Sequence, residues 1–176
     1  LDSLFGLKSV AGQFYLSNND SLEHLNGLSG LQSIGQNFYI LLNPALLSLA
    51  GLESLRQIGV GLVMDNNPLL QDLSALADSL LGTNPDFYLR IFYNPALALC
   101  HVPAICNYVN QGGEADIEGN APGCTSLNEI ILNCNPSQDC PPGNIEIRSQ
   151  ADLDFFTLNY PDCDHIAGSL TINSEQ

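Results

Sequence analysis

The residues of this chain that could take part in catalysis are few and scattered. Its histidines, His24, His101 and His165, fall in different parts of the sequence, and no serine or cysteine recurs beside them as a nucleophile. The acidic pair Asp152 and Asp154 lies where a short helix is predicted, and we interpret it as a solvated helix face rather than a general acid and base. The sequence also lacks a Gly-rich phosphate loop and an acidic calcium-binding loop. We therefore expect no enzymatic activity, no cofactor and no metal site.

Cysteine is the reactive residue type with an informative pattern. All 6 cysteines lie in the second half of the chain, and their even number is typical of disulfide bonds formed in an oxidising compartment. No two of them are spaced as Cys-x-x-Cys, which argues against a zinc or thioredoxin-like site. The composition predicts a secreted or cell-surface protein, but it leaves the pairing open because a set of this size allows about fifteen connectivities.

These residues are positioned by a repeat of about 24 residues, which is plainest in residues 22–43 and 46–67. Each copy combines regularly spaced leucines with a short strand and a following asparagine. The asparagines are separated by 24, 24, 27 and 26 residues, and they are Asn19, Asn43, Asn67, Asn94 and Asn120. A period of this length predicts a repeat solenoid, a right-handed β-helix or leucine-rich-repeat-like fold with short parallel strands. The asparagines are expected to form a structural ladder between coils, with ligand binding as the alternative.

The strand before each asparagine is predicted to alternate inward and outward side chains with a period of two. The inward pairs are Phe14/Leu16, Phe38/Ile40, Leu62/Met64, Leu89/Ile91 and Ala115/Ile117. The outward rows are Tyr15-Tyr39-Val63-Arg90-Asp116 and Ser17-Leu41-Asp65-Phe92-Glu118.

Contiguous exposed apolar area on this face is typical of an interaction site. The candidate ligand-binding residues are therefore Tyr15, Tyr39, Leu41, Arg90 and Phe92. Three alternatives remain open: the face packs on a neighbouring domain, the tyrosines only pack across strands, or Arg90 only pairs with an acidic neighbour.

The charge composition excludes some partners. The chain has 4 Lys and Arg against 19 Asp and Glu, a formal net charge of −15. Nucleic-acid binding depends on Lys and Arg that neutralise phosphates, so we expect no nucleic-acid partner. The same charge disfavours an anionic membrane surface, and no apolar run is long enough to insert into a membrane.

The first section, residues 1–134, is predicted as the C-terminal part of a solenoid domain, which ends in a disulfide-bonded closing cap. A helix-like stretch, Leu73–Leu81, replaces the usual turn in one repeat. Helices are expected over Val102–Asn110 and Thr125–Cys134, with Thr125 as the N-cap of the second.

The second section begins after a Pro-rich linker, residues 135–143, which includes Cys140. Residues 144–176 are predicted as the first coil of a second module, with strands at Ile145/Ile147 and Leu170/Ile172 around a helix over Gln150–Leu158. Because Leu1 falls in mid-repeat, we expect the chain to be a piece of a longer protein.

The motif Leu-x-x-Leu-x-Gly-Leu-x-Ser-Ile-Gly-x-x-Phe-Tyr-Ile-x-x-Asn-Pro resembles the receptor L domain, a module of insulin- and epidermal-growth-factor-type receptors. The run from Asn94 to Cys124 is similar to the end of such a domain, and the run from Cys140 to Ile172 is similar to the start of another. The Gly-rich repeats look most like bacterial versions found in large secreted or surface proteins of Bacteroidota.

The resemblance implies disulfides Cys100–Cys124 and Cys140–Cys163, because the matching cysteines are paired in the family. The third pair, Cys106–Cys134, follows from elimination and from the repeat register, which places Cys106 beside Cys134 on adjacent coils.

The expected function is a non-catalytic extracellular recognition or adhesion module that binds a protein or glycan through the outward rows. The alternative is a structural spacer or filament subunit whose partners are neighbouring copies of itself. The sequence Asp-Ser-Leu, which resembles a Bacteroidota O-glycosylation signal, occurs at Ser3, Ser21 and Ser79. The alternative for these serines is that Asp-Ser is simply favoured at turns.

Overall fold

The computed structural model of this chain describes residues 4–76, 81, 84–134, 140, 145–147, 149–160, 163, 166 and 168–173. It contains parallel β-sheets with few helices, an α/β arrangement. The chain divides into two compact units, Leu1–Cys134 and Asn135–Gln176. Of the predicted linker, residues 135–143, all but Cys140 lie outside the described residues.

The first unit carries two parallel sheets among its described residues. Its strands are β1 (Ser9–Val10), β2 (Phe14–Ser17), β3 (Ser33–Ile34), β4 (Asn37–Leu41), β5 (Gln57–Ile58), β6 (Gly61–Asp65), β7 (Tyr88–Phe92) and β8 (Ala115–Glu118). The smaller sheet has the order β1-β3-β5, and the larger has the order β2-β4-β6-β7-β8. The prediction of short parallel strands is confirmed.

Strand pairing joins equivalent positions of consecutive repeats. In the larger sheet, Tyr15 pairs with Tyr39, Tyr39 with Val63, Val63 with Arg90, and Arg90 with Asp116. Side chains that recur at the repeat spacing therefore lie side by side across the sheet, so the sequence period translates directly into rows of neighbours.

The core consists of these recurring apolar positions. The inward strand side chains from Leu16 to Ile91 are buried, as are the leucines between strands, such as Leu25, Leu49 and Leu73. The inward residues Phe14 and Ile117 are only partly buried, because β2 and β8 are the edge strands of the sheet and each has a neighbouring strand on one side.

Two glycines show how closely the repeats approach each other. A Cβ atom at Gly35 would lie 2.3 Å from the Ala11 carbonyl oxygen, and one at Gly59 would lie 2.2 Å from the Gly35 carbonyl oxygen. Because such contacts are shorter than any side chain tolerates, glycine at this repeat position is required by the close backbone approach.

The five asparagines form one hydrogen-bonded series. The Nδ2 atom of Asn19 donates to Oδ1 of Asn43 at 2.8 Å, and the series continues through Asn67 and Asn94 to Asn120 at 3.1 Å per step. Each accepting Oδ1 receives a second hydrogen bond, from the backbone N–H of the asparagine that lies one repeat earlier in the chain. Asn43, Asn67 and Asn94 are completely buried, so these bonds satisfy polar groups that water does not reach.

The residue before each asparagine adopts a left-handed backbone conformation. The φ values are 58° at Asn18, 56° at Leu42, 56° at Asn66, 51° at Tyr93 and 71° at Gly119. Positive φ is uncommon for bulky residues such as leucine and tyrosine. In the first four turns, the following asparagine holds the turn by donating from Nδ2 to the carbonyl two residues before it.

Helices α1 (Pro103–Asn110) and α2 (Leu127–Cys134) close the unit. The predicted N-cap of α2 was wrong, because the side chain of Ser126, not Thr125, accepts the Glu129 backbone N–H at 3.2 Å. The stretch predicted as helix-like, Leu73–Leu81, has a 3-10 turn at Ser74–Leu76, and residues 77–80 lie outside the described residues.

The second unit pairs two parallel strands around one helix in its described part. Strands β9 (Ile145–Ile147) and β10 (Leu170–Ile172) pair in the register Ile145 to Leu170. Helix α3 (Gln150–Asn159) begins with a capping box in which Ser149 and Asp152 satisfy each other's backbone N–H groups.

Candidate binding surface

The solvent side of the larger sheet, here called the outward face, has the predicted alternation. The predicted outward side chains are exposed or half-buried, whereas the inward ones of the central strands are buried. The face comprises two predicted rows and a third that begins the strands. These rows are Tyr15-Tyr39-Val63-Arg90-Asp116, Ser17-Leu41-Asp65-Phe92-Glu118 and Asn37-Gly61-Tyr88.

Tyrosine rings form the centre of this face. Tyr15 and Tyr39 stack with ring centroids 4.5 Å apart and planes within 11° of parallel. The hydroxyl of Tyr39 lies 3.2 Å from that of Tyr88 on β7, and this hydrogen bond, together with burial, raises the pKa of Tyr39. The Tyr15 hydroxyl donates to Oε1 of Gln13 at 2.7 Å. The rings are thus held by stacking and hydrogen bonds within the face itself.

Tyr88 belongs to this cluster, although the sequence did not identify it. It pairs with Gly61, where a Cβ atom would lie 2.7 Å from the Tyr88 ring. The missing side chain at Gly61 lets the ring lie across β6 and reach Tyr39. The period-two alternation, extended one step before Leu89, is the signal that could have found Tyr88.

Arg90 has two partners on the face. Its Nε donates to Oδ2 of Asp116 at 3.1 Å, which is the ion pair considered as an alternative for this residue. Its guanidinium also lies over the Tyr88 ring, 5.3 Å from the centroid. Because both charged groups are more than half exposed, the ion pair is a weak, solvent-screened contact.

The second predicted row is less exposed than the first. Leu41 and Phe92 are half-buried, and Asp65 pairs with both of them in the strand register. Asp65 Oδ1 accepts from the Asn66 amide at 2.8 Å. The five candidate residues therefore share one sheet face, but Tyr15 and Arg90 offer the most accessible surface.

Two shallow cavities border the outward face near β7 and β8. One of about 540 Å³ lies at the start of β7 and is lined by Tyr88, Asp86, Glu114 and Gly112, among others. The other, of about 420 Å³, is lined by Phe92, Asp116, Glu118 and Leu127, among others. Each cavity is lined by at least one aromatic residue and by two acidic residues.

The closing helices fix the end of the face. Tyr108 on α1 donates its hydroxyl to the carbonyl oxygens of Phe87 at 3.0 Å and Glu114 at 2.8 Å. Burial raises the pKa of Tyr108. These bonds tie α1 to the chain on either side of the first cavity, so its shape depends on a buried anchor that the sequence did not predict.

Glu129 organises the loop before α2. Its carboxylate accepts from the backbone N–H groups of Gly123 and Thr125 and from the Thr125 hydroxyl. Burial acts to raise the pKa of Glu129, but the hydrogen bonds from Thr125 and Gly123 outweigh it and lower the pKa. Thr125 therefore supports α2 as a donor to Glu129 rather than as its cap.

Three disulfides are present, and they are the expected pairs. Cys100–Cys124 is fully buried, and Cys106–Cys134 joins α1 to α2. Cys140–Cys163 lies within the second unit. These bonds are compatible with an extracellular protein, since disulfides persist in oxidising compartments. Among the helices of the described residues, none has the length and apolar character needed to cross a bilayer.

The residues considered for catalysis, metal binding and modification are placed as follows. His24 is exposed, His101 is half-buried, and His165 lies outside the described residues. Within the described ranges, no three His, Cys, Asp or Glu side chains converge as a metal site would require. Ser21 is exposed at a turn, while Ser3 and Ser79 fall outside the described residues, so O-glycosylation stays a prediction.

No protein-family model matches this sequence, and neither a curated protein nor a solved structure matches it. The resemblance to the receptor L domain therefore rests on the sequence motifs quoted above.

Proposed function

We propose that this chain is a non-catalytic recognition or adhesion module of a secreted or cell-surface protein, and that it binds a protein or glycan through the outward face. The observation that carries the proposal is the cluster of Tyr15, Tyr39 and Tyr88, with Arg90 beside it, on the solvent side of the larger sheet.

The cluster suits binding for physical reasons. Tyr15 is 55% exposed although its ring is stacked, so it presents a flat apolar surface with a polar tip to solvent. Aromatic and Arg side chains dominate binding energy in protein interfaces, especially where they are already fixed in position. Stacked tyrosine rings also fit the faces of sugar rings, which keeps glycans among the ligands to be tested.

The proposal extends to the fold. We infer that successive repeats form the coils of a solenoid similar to a receptor L domain, with a disulfide-bonded cap at its end. Parallel pairing at the repeat spacing and the buried asparagine series support this inference. The pairing of β9 with β10 in the second unit supports the start of another such module.

The test is a binding screen with matched variants. The purified chain is applied to a glycan array and a displayed peptide library, and hits are repeated with Tyr15→Ala, Tyr39→Ala and Phe92→Ala. The control is Leu69→Ala, which removes a side chain that is 47% exposed and lies outside the sheet. We expect the three face variants to weaken binding at least tenfold and the control to have little effect.

The same screen tests the alternative function. If all four folded variants bind a discovered ligand as the parent does, the outward face is not the site. If the parent binds nothing in either format and elutes as a defined oligomer in light-scattering measurements, the structural spacer or filament subunit is favoured.

A further inference from the structure

We infer that the outward face docks an arginine-rich, positively charged segment of a partner polypeptide. This inference rests on the proposed function, because it uses the same face, and it names the chemistry of the ligand.

The first support is that the outward face already binds one arginine of this chain, Arg90. Arg90 lies over the Tyr88 ring at 5.3 Å and pairs with Asp116 at 3.1 Å. An arginine held between an aromatic face and a carboxylate is therefore an arrangement that this surface already accommodates. Guanidinium groups favour such sites, since they stack on aromatic rings while they donate to carboxylates.

The second support is charge complementarity. Arg90 is the one cation of the outward rows, while Asp65, Asp116 and Glu118 are acidic and Glu114 directly precedes β8. Among the described residues, the Glu114 and Glu118 carboxylates form no ion pair with a cation of the chain. The whole chain carries a net charge of −15, which attracts a cationic partner at long range and speeds its encounter.

The third support is the shape of the surface. The two cavities flank the Arg90 contacts and extend their chemistry, because one adds Asp86 and Glu114 beside Tyr88, and the other adds Phe92 and Glu118 beside Asp116. Tyr88 and Phe92 stand four residues apart on β7, a separation of roughly 13 Å in a strand. An extended partner segment with arginines four residues apart matches this separation.

The probe is a Gly/Ser peptide of sixteen residues with arginine at every fourth position, compared with the same peptide in which citrulline replaces arginine. Citrulline keeps the shape and removes the charge. Binding to the full chain is measured by isothermal titration calorimetry at low and high salt, and all variants are first checked for folding by circular dichroism.

Two double variants remove equal charge from different places. Glu114→Gln with Glu118→Gln removes two carboxylates at the outward face, and Asp20→Asn with Glu23→Gln removes two exposed carboxylates of the turn after β2. Tyr88→Leu tests the ring separately. We expect the arginine peptide to bind and the citrulline peptide to bind at least tenfold more weakly. The face variant and Tyr88→Leu should each lower affinity about fivefold, and the turn variant less than twofold.

Each other result overturns a defined part of the reasoning. Equal losses in the two double variants mean that the peptide binds the overall negative charge, and the inference is wrong. Glycan binding that depends on Tyr39, without arginine-peptide binding, also overturns the inference but leaves the proposed function standing. If neither arginine peptides nor glycans bind, and displayed peptides do not bind either, both proposals fail.

Discussion

Replacement of Asn67 by alanine should destabilise the first unit severely, because this side chain is completely buried. Its Oδ1 accepts from the backbone N–H of Asn43 at 3.2 Å and from the Asn43 side-chain amide at 3.1 Å. Its Nδ2 donates to the carbonyl oxygens of Ile40 at 2.9 Å and Asp65 at 3.2 Å, and to Oδ1 of Asn94 at 3.1 Å.

The expected loss of stability depends on which hydrogen bonds the neighbouring groups keep when the Asn67 side chain is removed. The Asn43 side-chain amide keeps two carbonyl acceptors, and Asn94 Oδ1 still accepts from the Asn67 backbone. The Asn43 backbone N–H, however, loses its acceptor in a site closed to water. One buried unsatisfied donor costs about 1–3 kcal/mol, and the lost hydrogen bonds to the Ile40 and Asp65 carbonyl oxygens add about 1 kcal/mol each, so we expect a loss of about 3–5 kcal/mol.

The assay is urea unfolding of the disulfide-intact chain, followed by far-UV circular dichroism. The expected loss lowers the unfolding midpoint by roughly 1–3 M urea. The control is Asn107→Ala, an exposed asparagine on α1, which should change stability by less than about 0.5 kcal/mol. If Asn67→Ala shifts the midpoint no further than Asn107→Ala, the asparagine series does not satisfy the buried backbone groups, and the reasoning is refuted.

Three further predictions concern the core, the cap and pH. Leu62→Ala should cost about 2–5 kcal/mol through a cavity, whereas Tyr39→Ala should leave the fold intact, and equal destabilisation in urea unfolding would contradict the outward assignment. Joint replacement of Cys106 and Cys134 by serine should cost about 2–4 kcal/mol, and non-reducing peptide mapping of the parent should recover that pair. The lowered pKa of Glu129 means that its carboxylate stabilises the fold above its ordinary pKa and loses this effect as pH falls through the lowered value. Glu129→Gln should therefore lower the urea midpoint at neutral pH, with the difference vanishing in acid; a constant difference at all pH values would refute the assignment.

Much of the fold could be predicted because its signals are local and repeated. Phe38 and Ile40 alternate with outward Tyr39 and Leu41 over a single strand, and such alternation is visible in five consecutive residues. The spacing of the asparagines set the register, since a parallel pair joins equivalent positions of successive repeats. The capping of α2 was less predictable, because Ser126 and Thr125 are adjacent and both are residue types that cap helices.

Some contacts of the candidate site could not be predicted from the sequence, because they join residues that are far apart in the chain. The hydrogen bond between Tyr39 and Tyr88 joins residues 49 positions apart and skips a whole repeat. It exists because Gly61 leaves room for the Tyr88 ring, and an absent side chain gives no signal of what will fill its place. The two cavities likewise depend on loops and helices that meet only in the folded chain.

The sequence alone determined the repeat, the direction of its strand side chains and the asparagines that stack between repeats. Each of these depends on a local pattern of residues that recurs at a nearly constant spacing. Only the tertiary structure decided that Tyr88 reaches Tyr39 across Gly61, that the Arg90 guanidinium lies over the Tyr88 ring, and that acidic residues share cavities with aromatic ones. Those contacts depend on the geometry of packing across repeats, which the order of residues within one repeat does not specify.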